Sequence, residues 1–567
     1  MEEKENENKI KRELSMLTPH ISLYGESFVS LISDILCAYG RIKKKYLKLF
    51  TTSENIKKYQ RAFTSNSVNS FKNVETGKIL GNPESENTYE LFKILGDNIF
   101  ENFMVWYLHR RFPTLRNASD VKVIARLKIN YDLQYSFPNI AKELGFLQYI
   151  SSSEYERMYN ENTLLKSVFS SFLGVTYSII NDIVMKNGIG FAICYDILSS
   201  FYDKMDIQLP SKFEELDNPI TTLKQFFDKN RYFGKLLEYE FEFDPEKKLN
   251  YCSIYYNKNG RNILLVKAES PSKKEVKKLA SIKALEILDS KNLLDKTKKN
   301  IIINDPTNII KRGNRGLNFI NTLKGIFVNS GAHNKYIDIL LSEEGLKIYD
   351  HAFTSNSANP SEDSPENYEI YETLGDAVFK NFIVEYSMDR FKLNKAGDLK
   401  FISRVKINYG SEEEFTLTSK NLGFLPFLTA SQPDYYANKD KMLEDVFEAF
   451  LGATCYILDS KIKIGVGYCI CCQIIKYICD LKDIPAVFED LVDSITYIKE
   501  FFDKNPDVGI LEYEYTRAGS LVYCNAFIIK NGAKTFIGQG NGPKNPIAKK
   551  NTSDDIIYNL RKNGYKI

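Results

Sequence analysis

Between residues 367 and 386, and again between 441 and 458, apolar residues recur at i, i+3, i+4 and i+7, the period of a helix with one buried face. The same texture runs through about 41–205 and about 331–485, so both stretches are predicted to be helical. The pattern then changes. After a helix-like segment at 221–230 come alternating runs at 236–243, 251–256 and 262–268, the period-two signature of half-buried strands. A last amphipathic segment at 273–288 completes an α-β-β-β-α order, and 490–562 has the same order. The polar, turn-rich stretch around 289–312 reads as a joint between two halves.

Those halves are copies. Ala62-Phe63-Thr64-Ser65-Asn66-Ser67 returns as Ala352-Phe353-Thr354-Ser355-Asn356-Ser357, an offset of 290, and Leu95-Gly96-Asp97 returns as Leu374-Gly375-Asp376, an offset of 279. Arg126 and Arg404, Phe172-Leu173-Gly174 and Phe450-Leu451-Gly452, and Phe226-Phe227-Asp228 and Phe501-Phe502-Asp503 continue the series. A slowly drifting offset is expected when only loops change length. One unit of about 280 residues has been written twice.

Composition narrows the class. The chain has 567 residues, 43% of them hydrophobic and 26% charged, as in ordinary globular proteins. A net charge of +3 supplies no global basic field, so any nucleic-acid contact has to come from local patches. The first 13 residues are charged and lack the apolar core of a secretory signal. The uncharged apolar stretch between Lys463 and Lys476 is shorter than the roughly 18–20 residues a membrane span needs. Nine cysteines without a signal point to reduced thiols inside the cell, in cytoplasm or nucleus, with no secretion and no membrane partner expected. Cys469, Cys471, Cys472 and Cys479 crowd together, but with no histidine nearby they read as buried helix thiols.

The chemistry-bearing residues lie in the second unit. Glu372 and Asp376 stand four apart, and Asp445 and Glu448 three apart, so each pair leaves one face of an otherwise apolar helix. Four carboxylates converging at the edge of a core repel one another unless cations stand between them. An all-oxygen donor set suits Mg²⁺, with Mn²⁺ able to substitute, and not Zn²⁺. Two such ions can activate a water and stabilise the leaving oxygen of a phosphodiester.

Tyr368-Glu369-Ile370-Tyr371-Glu372-Thr373-Leu374-Gly375-Asp376-Ala377-Val378 resembles the ribonuclease III signature, in which a Glu and an Asp flank a Leu-Gly. Asp445-Val446-Phe447-Glu448-Ala449-Phe450-Leu451-Gly452-Ala453 is similar to the family's second metal-binding helix. The Ala-Phe-Thr-Ser-Asn-Ser motif resembles the family's upstream motif, with Ser65 and Ser355 in place of the usual His, and Arg404 falls where the family has an internal basic helix. The resemblance implies a Mg²⁺-dependent endonuclease for double-stranded RNA that leaves 5′-phosphates. Glu372, Asp376, Asp445 and Glu448 are then its catalytic and metal-binding residues. Two such domains in one chain resemble the Dicer and Drosha cores of RNA processing and RNA interference, where the domains pair intramolecularly.

The implied architecture is α+β and multidomain, with two all-α ribonuclease III domains forming an intramolecular pseudo-dimer, each followed by an α-β-β-β-α module that binds double-stranded RNA. The expected boundaries are an N-terminal extension at 1–40, a degenerate nuclease domain at 41–205, an RNA-binding module at 216–290 and a linker with lead-in helix at 291–330. A catalytic nuclease domain at 331–485 and a divergent RNA-binding module at 490–562 follow. The first nuclease domain is degenerate because Lys93 stands opposite Glu372, and Ser167 and Ser170 stand opposite Asp445 and Glu448, with only Asp97 kept. One carboxylate beside an ammonium holds a dication poorly.

In the first module Ser272, Lys273, Lys274 and Lys277 are placed to meet phosphates of an A-form duplex. In the second, Lys544, Lys549 and Lys550 are the candidates, although the segment from Gly540 to Pro546 interrupts the lysines and Asp554 and Asp555 acidify the helix. The alternative function is a non-catalytic RNA-binding scaffold, or an adaptor subunit with protein partners in an RNA-processing or ribosomal complex. Four convergent acids speak against it, because a scaffold does not need them.

Overall fold

The structure is a computed structural model that describes residues 19–69, 71–72, 79–80, 88–115, 118–184, 187–207, 209, 219–229, 235–244, 247, 249–258, 261–270, 273–290, 309–358, 367–562 and 564–565. It is a mostly helical α+β chain with small sheets. The elements that position the site in the first unit are α1 (Glu26–Ala38), α2 (Ser53–Ala62), α3 (Glu90–Arg111), α4 (Glu161–Val184) and α5 (Asn187–Tyr202). They are followed by α6 (Pro219–Lys229), β1 (Lys235–Asp244), β2 (Leu249–Lys258), β3 (Arg261–Ser270) and α7 (Lys273–Ser290). The second unit repeats the order with α8 (Leu317–Asn329), α9 (Glu343–Ala352), α10 (Glu369–Arg390), α11 (Leu399–Tyr409), α12 (Gln432–Lys461) and α13 (Val466–Asp480). It closes with α14 (Ser494–Lys504), β4 (Ile510–Ala518), β5 (Leu521–Lys530), β6 (Ala533–Gly542) and α15 (Asn545–Lys562).

Local chemistry starts several of these helices. The Ser342 side chain accepts a hydrogen bond from Gly345 N at 3.2 Å, and Thr52 accepts one from Asn55 N at 3.2 Å, each satisfying a donor left open in the first turn. Asp493 does the same for α14 through Thr496 N at 3.0 Å. Helix α12 opens on Pro433, whose missing N–H costs nothing there, and bends at Asn438, where φ is −129° and ψ 19°.

Two of the expected boundaries change. Helix α1 lies in what the sequence reading assigns to an N-terminal extension, yet it buries Phe28, Ile32, Ile35 and Leu36 in the core. It is the counterpart of the lead-in helix α8, which buries Phe319, Leu323, Ile326 and Phe327 at the same spacing. Each helical unit therefore begins with that helix. The units also contain paired two-residue strands: Pro19–His20 pairs with Ser152–Ser153, and Ile310–Lys311 with Ala430–Ser431. A short backbone ladder satisfies polar groups where the chain enters each unit, so the units are not purely helical.

One hydrophobic cluster runs through both helical units. Trp106 of α3 stacks on Tyr456 of α12 with ring centroids 6.2 Å apart, and the Tyr177 hydroxyl of α4 donates to Glu385 Oε2 of α10 at 2.6 Å. Gly188 of α5 and Gly465, just before α13, touch backbone to backbone. A Cβ on Gly188 would stand 1.8 Å from the Gly465 carbonyl oxygen, and one on Gly465 2.1 Å from that of Gly188. The α-β-β-β-α modules have separate small cores, in which α7 covers the antiparallel β1-β2-β3 sheet and α15 covers β4-β5-β6.

On α13, Cys471, Cys472 and Cys479 are buried and Cys469 is half-buried, and all nine cysteines are free thiols. Glu161–Ile180 is a helical stretch long and apolar enough to cross a membrane, and most of it is buried in the core of the first unit.

Candidate active site

Helices α10 and α12 meet at two glycines. A Cβ on Gly375 would stand 1.7 Å from the Glu448 carbonyl oxygen, and one on Gly452 would stand 1.9 Å from that of Tyr371. Glycine is required at both positions because it lets the two backbones touch. That contact sets Glu372 and Asp376 of α10 opposite Asp445 and Glu448 of α12. Asp445 and Glu448 are buried, while Glu372 and Asp376 are half-buried.

The electrostatics match four anions in too little water. Burial, then the charges of Asp376 and Glu372, push the Glu448 carboxyl up to about 10. Burial, then Asp445, push Glu372 up to about 8. Burial also raises Asp445, against a hydrogen bond donated to its Oδ2 by the Tyr368 hydroxyl at 2.8 Å. Asp376 accepts a charge-assisted hydrogen bond from Lys380 Nζ, one turn along α10, at 2.5 Å.

Among the described residues no three or more His, Cys, Asp or Glu side chains form a ready-made metal cage. The donors do fit a hard divalent cation that keeps part of its water shell: they are all oxygens, they are close enough to raise one another's proton affinity, and they lack sufficient counter-charge.

The first unit keeps the frame without the acids. Gly96 and Gly174 bring α3 and α4 together as Gly375 and Gly452 do α10 and α12, with a Cβ on Gly96 1.8 Å from the Ser170 carbonyl oxygen. Asp97 accepts a hydrogen bond from Ser170 Oγ at 2.6 Å, and burial raises its proton affinity. Lys93 turns to Glu90 at 3.6 Å, and Ser167 is buried. In this pocket a hydroxyl partners the one retained carboxylate, and the lysine pairs with an acid on its own helix.

The candidate phosphate contacts are only partly in view. Ser272 lies outside the described residues, and of Lys273 and Lys274 the backbone alone is described, at the start of α7. Lys277 is half-buried with Nζ 4.4 Å from the Tyr239 ring centroid, and Lys549 holds the equivalent place 4.7 Å from that of Tyr513. Lys544 and Lys550 are exposed. Two features of this module have packing roles. Gly540 and Gly542 belong to β6 and let α15 approach closely, a Cβ on Gly540 falling 2.4 Å from Thr552 N. Asp555 accepts a hydrogen bond from Gln539 N at 2.9 Å, so it ties the helix to the strand.

Sequence reasoning missed Tyr368 and Lys380. Lys380 was accessible from its i+4 spacing to Asp376. Tyr368 carried no such signal, because its partner is 77 residues away. Arg404 does not reach the carboxylates; it pairs with Glu500 of α14 at 3.5 Å. Two residues on, Lys406 Nζ donates across the units to Asn98 Oδ1 at 2.6 Å.

The profile of the Ribonuclease III domain matches residues 369–458, which hold all four carboxylates. The chain is 32% identical over 230 residues to a protein named a ribonuclease 3 in Invertebrate iridescent virus 6, covering 38% of this chain and 77% of that one. It is 34% identical over 187 residues to a likewise named protein of Frog virus 3 (isolate Goorha), covering 32% and 49%. A "Probable ribonuclease 3" of Acanthamoeba polyphaga mimivirus is 23% identical over 463 residues, covering 74% of this chain and 78% of that protein.

Proposed function

Since this chain belongs to the ribonuclease III family of endoribonucleases, we propose that its second unit hydrolyses double-stranded RNA in a Mg²⁺-dependent reaction while its first unit is a pseudo-enzyme. The observation that carries this reading is the gathering of Glu372, Asp376, Asp445 and Glu448 across one helix contact, against Lys93, Asp97, Ser167 and Ser170 at the same contact in the first unit. Mg²⁺, when bound, supplies an activated water and neutralises charge on the phosphodiester oxygens. The chain's own share is to hold the four carboxylates in place. Lys380 keeps Asp376 paired until substrate and cation arrive.

The two helical units pair as the domains of a Dicer-like enzyme do, with the shared core and the Gly188–Gly465 contact supporting that pairing. A duplex lying across both pockets meets one working centre, and the serine-lined pocket faces the other strand. The α-β-β-β-α modules bind the duplex through Lys273, Lys274 and Lys277, and through Lys544, Lys549 and Lys550, by shape and charge. Free thiols throughout support an intracellular site of action.

Single-turnover cleavage of a duplex, with each strand labelled in turn, tests the reading. A chain shown to be monomeric nicks one strand per binding event, and Asp376→Asn abolishes the nick while duplex affinity stays within about twofold. Concerted cutting of both strands by the monomer would revive the first pocket, and cleavage by Asp376→Asn would remove the second as the active centre.

A further inference from the structure

The Ala-Phe-Thr-Ser-Asn-Ser repeat has no part in the chemistry described so far, and its serines lead to the active carboxylates. In the second unit, Ser431 N donates to Ser357 Oγ at 3.1 Å, and Ser357 Oγ lies 3.1 Å from Ser355 Oγ. Ser355 stands beside the Tyr368 hydroxyl, which donates to Asp445 Oδ2 at 2.8 Å. Ser355 and Tyr368 are buried, so each hydroxyl has few alternative partners. A hydroxyl carries one proton. With the Tyr368 proton on Asp445, the Tyr368 oxygen is left only as an acceptor, so Ser355 beside it can meet it only as a donor, toward the carboxylate.

The first unit has the same hydroxyls with the opposite polarity. Ser65 Oγ and Ser67 Oγ both donate to Glu156 Oε2 at 2.6 Å, which uses their protons. Tyr89, the counterpart of Tyr368, has Ser65 and Ser167 beside it, and the carboxylates that act on it, Glu156 and Glu90, are not among the metal-binding candidates. In the second unit the position of Glu156 is held by Asp434, whose Oδ1 takes a hydrogen bond from Asn438 Nδ2 at 2.6 Å.

We propose that Tyr368, with Ser355 beside it, is a positioning residue for Asp445, and that the serine motif favours the tyrosine proton on this carboxylate, fixing the rotamer in which Asp445 would hold a cation. The inference rests on the reading of Asp445 as a metal-binding residue. A fixed partner behind a ligand sets its rotamer, and removal of such a partner typically costs about 10–100-fold in metal affinity or activity.

The test is calorimetric titration of the full chain with Mn²⁺ in the absence of RNA, alongside duplex affinity in Ca²⁺ and the Mg²⁺ dependence of cleavage. Tyr368→Phe is expected to weaken Mn²⁺ binding about tenfold. It should raise the Mg²⁺ needed for half-maximal cleavage and leave duplex affinity unchanged, with excess Mg²⁺ restoring most of the rate. Ser355→Ala moves the same quantities in the same direction by less, Ser355→Thr restores them, and Tyr89→Phe moves none of them. Should Tyr368→Phe fold poorly, the Ser355→Ala and Ser355→Thr pair decides by itself. Mn²⁺ affinity within twofold of the parent in Tyr368→Phe or Ser355→Ala, with Asp445→Asn abolishing binding, overturns the positioning role alone. Intact Mn²⁺ binding in Asp445→Asn overturns instead the assignment of Asp445 on which it rests.

Discussion

Gly375→Ala tests whether the touching backbones of α10 and α12 create the active centre. The new Cβ would lie 1.7 Å from the Glu448 carbonyl oxygen and 2.9 Å from Gly452 N, where real Cβ atoms keep at least 3.0 Å. Backbone atoms of a buried helix cannot swing aside, so the helices have to part by roughly 1.3 Å, the shortfall in the shorter contact. Alanine recovers about 1 kcal/mol of helix propensity, and forcing apart a packed contact costs about 1–3 kcal/mol. The net loss of stability is about 0–2 kcal/mol. Catalysis suffers more, because the displacement separates Glu372 and Asp376 from Asp445 and Glu448, and a misplacement of about 1 Å can cost on the order of 10²-fold in rate. Urea denaturation and single-turnover cleavage measure the two effects. Gly96→Ala is the matched control: its Cβ falls 1.8 Å from the Ser170 oxygen, so stability drops similarly while cleavage at the second unit persists within a few-fold. Parental stability and rate in Gly375→Ala would refute the account, as would an equal loss of cleavage in Gly96→Ala.

The raised carboxyls make the metal-free chain sensitive to alkali. Glu448 and Glu372 are lifted from 4.5 to about 10 and about 8 in the fold, so their contribution to stability is complete below 4.5 and is lost as pH rises through those values. Each group limits the slope to about 1.4 kcal/mol per pH unit. Thermal melts in EDTA should fall between about pH 5 and 9, and Glu448→Gln, which needs no proton to be neutral, should flatten the fall; an unchanged slope in that variant would count against the burial argument. Lys273→Ala combined with Lys274→Ala should weaken binding to any duplex sequence and reduce the salt slope by about 0.9 per lost phosphate contact. Filter binding from low to moderate salt measures this, and an unaltered slope would remove these lysines from the interface.

The doubled unit, the helical and strand-bearing parts of each copy and the loss of three of four acids from the first copy were all legible in the sequence. Each depends on residue identity and short-range spacing: Glu372 and Asp376 share a helix face because a helix has 3.6 residues per turn, whatever surrounds it. The same period lay in Phe28, Ile32, Ile35 and Leu36, and only the buried position of α1 showed that this segment opens a unit. Tertiary structure alone decided which backbones touch, at Gly375 and Gly452 within the site and at Gly188 and Gly465 between the units. It also decided that Tyr368 donates to Asp445, that Lys406 crosses to Asn98 and that Asp555 accepts from Gln539 N. These pairings join residues up to 308 positions apart. Spacing along the chain carries no information at that range. Partners there are selected by which side chains can be buried together and by the need of each buried donor and acceptor for a partner, and both conditions exist only once the helices have come together.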